Sequence, residues 1–157
     1  MAVDVLSQIE IDRPPREVAA FACDPDNAPR WYKNIHSVEW PDGRPTALAV
    51  GCRVAFVARF LGRRLAYTYE FITFIPDELL VMRTAEGPFP METRYEFAAN
   101  GRGGTTMSLR NRGEPSGFGK IAAPLMQAAM LRANRKDLLA IKRLLEDLIT
   151  TARKTDA

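Results

Sequence analysis

The sequence contains one histidine and two cysteines in 157 residues. The cysteines, Cys23 and Cys52, stand far apart and form no CxxC pair. A transition-metal site draws on clustered imidazole, thiolate and carboxylate ligands, so no metal is expected. Two lone thiols suit a reducing compartment, and the cytoplasm is the expected location. No run of about 18 apolar residues occurs, so no stable membrane insertion is expected. The opening MAVDVLSQIEID carries acids and no basic apolar leader, which argues against a signal peptide. No block of one charge exists: 22 basic residues are interspersed with 19 acidic ones, for a net charge of +3. That balance speaks against a nucleic-acid partner. Repeats and low-complexity segments are missing too.

No cofactor is expected. The segment GEPSGFGKI, residues 113–121, fails as a phosphate loop. Five residues separate Gly113 from Gly119 instead of four, and Ile121 stands where a magnesium-binding hydroxyl is needed.

What is present is a core-forming composition, with 46% hydrophobic residues. At this length it predicts one domain, residues 1–153, with a short tail at 154–157. Val3, Val5, Ser7, Ile9 and Ile11 share one face of a first strand. Pro14 and Pro15 suit a helix start, and Asp24-Pro25 suits its end. Residues 25–32 allow a second short helix ending in Trp31-Tyr32. Six strands follow at about 35–41, 52–60, 63–75, 78–85, 91–99 and 104–112, with turn residues between them. From about Gly117 to Arg153 the apolar period becomes helical. Met126, Met130, Ala133, Ile141, Leu144, Leu145 and Leu148 fall on one stripe. Pro124 should start, kink or loosen the first turns. The order predicts an α+β fold: a seven-stranded antiparallel sheet covered on one face by a long C-terminal helix.

Charges set the phase of the sheet. Arg59, Arg64, Glu70, Arg83, Glu92, Arg94, Glu96 and Arg110 should face water. The opposite parity presents Phe56, Phe60, Leu65, Tyr67, Tyr69 and Phe71 from the middle strands. It continues with Met82 and Thr84, then Met91, Thr93 and Tyr95, then Met107 and Asn111. The tyrosines, threonines and asparagine on this inner face need partners if they are buried. Either they pack as amphipathic core, or they line a mostly apolar pocket holding a few placed polar groups. The methionines suit an adaptable lining or serve as gap fillers.

Three phrases carry a resemblance over nearly the whole chain: IEIDRPPREVAAFACDPDNAPRWY, VGCRVAFVARFLGRRLAYTYEF and LLAIKRLLEDL. With this order of elements, the chain resembles the START-like, Bet v 1-like superfamily, also called SRPBCC or polyketide cyclase/dehydrase-like proteins. One departure is the EVAAF of the first helix, where many relatives carry a tryptophan near the second alanine. The resemblance implies a helix-grip fold, a curved sheet wrapped around the long helix with an apolar cavity between them. It also implies a hydrophobic small-molecule partner, such as a lipid or polyketide, and in some members cyclase or dehydrase activity.

Ligand-binding candidates are therefore the inner-face residues above other than Leu65, with Met126, Met130 and Asn134 from the helix. Trp31 and Tyr32 either line the entrance or staple the short helices to the sheet. Phe118 is a lid candidate, and Phe89, exposed at the tip of EGPFPM, is another. Asn134 and Asp137 lie three residues apart on or beside the apolar stripe. Asp137 is the one catalytic candidate, a general acid or base if burial raises its pKa, or else a structural partner. His36 has no acid or nucleophile near it in sequence and reads as a surface residue. The basic residues of the last helix read as a solvated face. Oligomeric state is left open.

Overall fold

The computed structural model describes residues 2–155, with side chains through Asp147. Strand β1 spans Val3–Ile11. Helix α1, Pro15–Ala22, begins at the two prolines, where the missing N–H costs nothing. It stops before Asp24, whose carboxylate accepts the Asp26 N–H at 3.0 Å. A 3₁₀ turn, Pro25–Asn27, leads into the four-residue helix α2, Ala28–Trp31. Then come β2 Ile35–Glu39, β3 Arg53–Phe60, β4 Arg63–Ile75, β5 Leu79–Glu86, β6 Met91–Ala99 and β7 Thr105–Gly113. Helix α3, Ala123–Thr155, closes the chain.

The sheet order is β1-β7-β6-β5-β4-β3-β2, antiparallel throughout. The excursion through α1 and α2 carries the chain from one sheet edge to the other. The sheet curls into a half-barrel, and α3 fills its concave side. At 33 residues this helix is about 50 Å long. This is the helix-grip arrangement that the sequence resembles.

Helix α3 starts later than its periodicity suggests. Gly117 and Gly119 take φ of +83° and +72°, which holds residues 114–122 as a loop. Pro124 then falls in the first turn, so it starts the helix rather than kinking it. Met126, Met130, Leu138, Ile141 and Leu145 are buried along the inner stripe, joined by the polar Asn134 and Asp137. The side chain of Leu148 lies outside the described residues. So does the end of the 154–157 tail, at residues 156 and 157.

The charge phasing holds on the outer face. Arg83 and Arg112 both pair with Glu92 across strands, at 2.9 and 2.6 Å, and Arg110 pairs with Asp4 at 2.5 Å. Register shifts interrupt the pairing between Ile35 and Ser37 in β2, and between Thr68 and Tyr69 and between Phe71 and Thr73 in β4. A bulge in β4 between Phe71 and Thr73 inserts a residue against β5, so Phe71 opposes Met82 while Phe74 opposes Leu80. The extra residue flips the parity. Phe74 therefore turns inward and packs on Phe71, ring centres 6.0 Å apart.

Strand β1 is tied to the far end of α3 by three polar contacts. Lys142 Nζ donates to the Glu10 carbonyl at 2.7 Å, Arg13 Nη1 to the Leu145 carbonyl at 3.0 Å, and the Asp12 N–H to Glu146 Oε1 at 3.0 Å.

Candidate ligand-binding cavity

Between sheet and helix lies a cavity of about 170 Å³. Its walls come from β3 to β7, from the inner stripe of α3, and from the segment between α1 and β2. From the predicted set it takes Phe56, Phe60, Tyr67, Tyr69, Met82 and Thr84 of the middle strands. Met91, Thr93, Tyr95 and Asn111 line its other flank, and Met126, Met130, Asn134 and Asp137 its helical wall.

Three predicted lining residues fall outside it. Phe71 and Met107 are fully buried and face inward, but at the end of the sheet where α3 packs tightly and leaves no space. Trp31 is 1% exposed and sits beside Tyr32 and Tyr95, ring centres 4.0 and 5.7 Å away. It staples α2 to the sheet and leaves the wall to Tyr32. Parity identifies the face of a side chain; it says nothing about how closely the helix approaches at that point.

One end of the cavity is covered by aromatics. Phe118 lies between Phe60 and Phe89, 5.9 Å from each ring centre. Phe89 is half-buried there, not exposed at a turn tip as expected from EGPFPM. The Arg63 guanidinium lies 5.3 Å from the Phe118 ring centre and donates to the Ser116 carbonyl, latching the 114–122 loop down.

The polar groups in the wall divide by whether they already have partners. Thr84 Oγ1 accepts the Met91 N–H at 3.0 Å and donates to the Met91 carbonyl at 3.1 Å. Thr93 donates to Asn111 Oδ1 at 2.8 Å, and its oxygen lies 3.0 Å from the Tyr69 hydroxyl. A threonine has one proton to give, so Tyr69 donates to Thr93 and the relay runs from Tyr69 through Thr93 to Asn111. Tyr32 and Tyr95 share a hydrogen bond of 2.5 Å. Burial holds both phenols well above their ordinary pKa, so both are neutral.

A second group is left over. Asn134 Nδ2 is buried and has no hydrogen-bond partner. Asp137 is 3% exposed, and its Oδ1 accepts the Lys33 N–H at 3.1 Å. No side chain among the described residues donates to its carboxylate. Burial raises its pKa to about 6, against the weaker pull of that N–H and of the Lys33 and Lys136 charges. Asp137 also lies near enough to the Tyr32 hydroxyl to oppose its ionisation. Cys23 lines the cavity as well, with a thiol pushed up to about 12 by burial, which makes it an inert wall group. His36 is exposed on β2, away from the cavity.

Tyr32 lines the wall as one of its two sequence alternatives has it, but sequence reading missed the rest of the wall supplied from the end of α1 to the start of β2: Ala22, Cys23, Pro25, Ala28, Asn34 and Ile35. Helices of four to eight residues carry too few turns for a periodic signal. The adjacent Trp31-Tyr32 pair was the one available sign.

A curled sheet gripping a long helix around an apolar cavity defines the START-like, Bet v 1-like superfamily. Residues 2–146 match the family described as polyketide cyclase / dehydrase and lipid transport, and the chain belongs to that family. Solved structures agree on the fold. A START superfamily protein from Mycobacterium smegmatis superposes with a TM-score of 0.79 at 12% identity, over 92% of this chain and 98% of that one. An aromatase/cyclase from Streptomyces sp. R1128 gives 0.76 at 16%, over 95% and 96%. A protein from Thermus thermophilus gives 0.75 at 22%, over 90% and 95%. At these identities the likeness shows the fold alone. No curated protein matches the chain by sequence.

Proposed function

We propose that the protein binds a hydrophobic small molecule in the cavity between sheet and α3. One observation carries this reading: the space of about 170 Å³ between sheet and helix is walled mainly by aliphatic and aromatic side chains and holds a few fixed polar groups. The volume resembles the ~150 Å³ apolar void that accepts benzene in another protein. With the aromatic cover closed, it suits one ring or a short acyl chain. A larger ligand, such as a multi-ring polyketide, requires Phe118 and its loop to move aside. The cavity itself speaks against reading the chain as a protein-interaction module whose cavity is vestigial. Free Cys23 and Cys52 support a reducing, cytoplasmic setting.

A second reading is a polyketide cyclase- or dehydrase-like enzyme. It is favoured by one feature, the Asp137 carboxyl in the cavity wall with a pKa of about 6, suited to exchanging protons near neutrality. The structures it resembles include an aromatase/cyclase, which adds weight to this alternative.

Native mass spectrometry of freshly purified protein separates the readings, followed by solvent extraction. A discrete added mass that extraction removes supports a carrier and identifies its ligand class. A bare chain that retains no added apolar compound overturns the binding reading.

A further inference from the structure

Most polar groups around the cavity are already satisfied by one another. Thr84 is held by the Met91 backbone, Tyr69 by Thr93, Thr93 by Asn111, and Tyr32 by Tyr95. A ligand gains little from groups whose bonds are already made. Others are unsatisfied: the Tyr67 hydroxyl and the Asn34 side chain line the cavity without a hydrogen bond among the described residues, and two further groups stand close together on α3. Asn134 Nδ2 is a buried donor with no acceptor, in a side chain 6% exposed. Asp137 keeps carboxylate lone pairs free after accepting the single Lys33 N–H. They stand one helical turn apart on the same face of α3, so one small group can reach both.

An unsatisfied buried donor costs about 1–3 kcal/mol, and native structures rarely tolerate it without purpose. The pair asks for opposite things: Asn134 needs an acceptor, and Asp137 needs a donor. We propose that the cavity is specific for apolar ligands whose head combines a hydrogen-bond donor with an adjacent acceptor, as a primary carboxamide or lactam does. The ligand N–H donates to Asp137, and the ligand carbonyl accepts from Asn134 Nδ2. The apolar body lies toward Phe56, Met82 and Met130.

A cationic head fits less well. It satisfies Asp137 but sets a positive charge against the Asn134 N–H, which then stays unpaired. The charges of Lys33 and Lys136 already act on the Asp137 carboxyl, and a third cation adds repulsion. A plain hydrocarbon leaves both groups unpaired.

This inference rests on the cavity being a binding site, and the experiment separates the two. Toluene, benzamide and benzylamine are titrated into the protein, with binding read by calorimetry and by amide chemical shifts. The titrations are repeated on Asn134→Leu. Benzamide is expected to bind at least about tenfold tighter than toluene, the equivalent of pairing one buried donor. In Asn134→Leu that advantage disappears while toluene still binds, which shows the cavity is intact. Equal binding of benzamide and toluene overturns the specificity and leaves the cavity reading standing. Tighter binding of benzylamine overturns it in favour of a cation site. Failure of all three to bind overturns both readings.

Discussion

The Tyr32 and Tyr95 hydroxyls meet at 2.5 Å, joining the residue that ends α2 to the middle of β6. It is the polar bridge between the short-helix segment and the sheet on the cavity wall. Either tyrosine cut back to phenylalanine leaves the other hydroxyl buried without its partner. Tyr95→Phe and Tyr32→Phe are each expected to lower stability by about 1–3 kcal/mol. The double variant should lose less than the sum, since no orphan remains. Denaturant midpoints of the four proteins check this. Strict additivity would mean that the bond contributes nothing.

Asp137 makes stability depend on pH. Its folded pKa of about 6 lies above the ordinary 3.8, so between these values the folded chain holds a proton that the unfolded chain releases. Stability therefore falls as pH rises from about 4 to about 6 and stays lower above that, by roughly 3 kcal/mol at most. Asp137→Asn keeps an acceptor for the Lys33 N–H and removes the ionisation. It should flatten the pH profile in that window and raise stability above about pH 7. Chemical unfolding at a series of pH values is the measurement, and an unchanged slope in the variant assigns the effect elsewhere.

The cover formed by Phe60, Phe89 and Phe118 should set exchange rates more than affinity. Phe118→Ala removes two ring contacts, each worth about 0.5–1.5 kcal/mol beyond area. Entry and release of a bound aromatic are expected to speed up together, by up to about tenfold. Stopped-flow mixing reads both rates. Unchanged rates would place the route elsewhere.

Core and cavity wall should respond differently to truncation. Met107 is fully buried where sheet and helix meet without space, and Met107→Ala should cost about 2–5 kcal/mol with little change in ligand affinity. Met130 already borders a void. Met130→Ala should cost less and should widen the cavity, so that bulkier aromatics bind. Thermal unfolding with a ligand size series distinguishes the two sites.

Much of this arrangement is legible in sequence. The seven strands and the terminal helix follow from their periods, and the outer face from its charges. The departures have local causes. The β4 bulge turns Phe74 inward, which strict alternation does not allow for. Phe71 and Met107 share parity with Tyr69 and Asn111 but meet the helix where the grip is tight. Cys23 and Asn34 belong to segments too short to show a period. The pairing that leaves Asn134 unsatisfied while Thr93 is satisfied depends on side-chain reach in three dimensions.

Strand β1 lies against β7, with Val3 opposite Gly113. The first of these seven strands in chain order therefore pairs with the last. Until β7 emerges, β1 has no neighbour, and the half-barrel lacks its closing edge. Such distant pairing slows folding and exposes an unpaired strand during synthesis. Assembly of the sheet, and with it the cavity, is thereby deferred until all seven strands have been made.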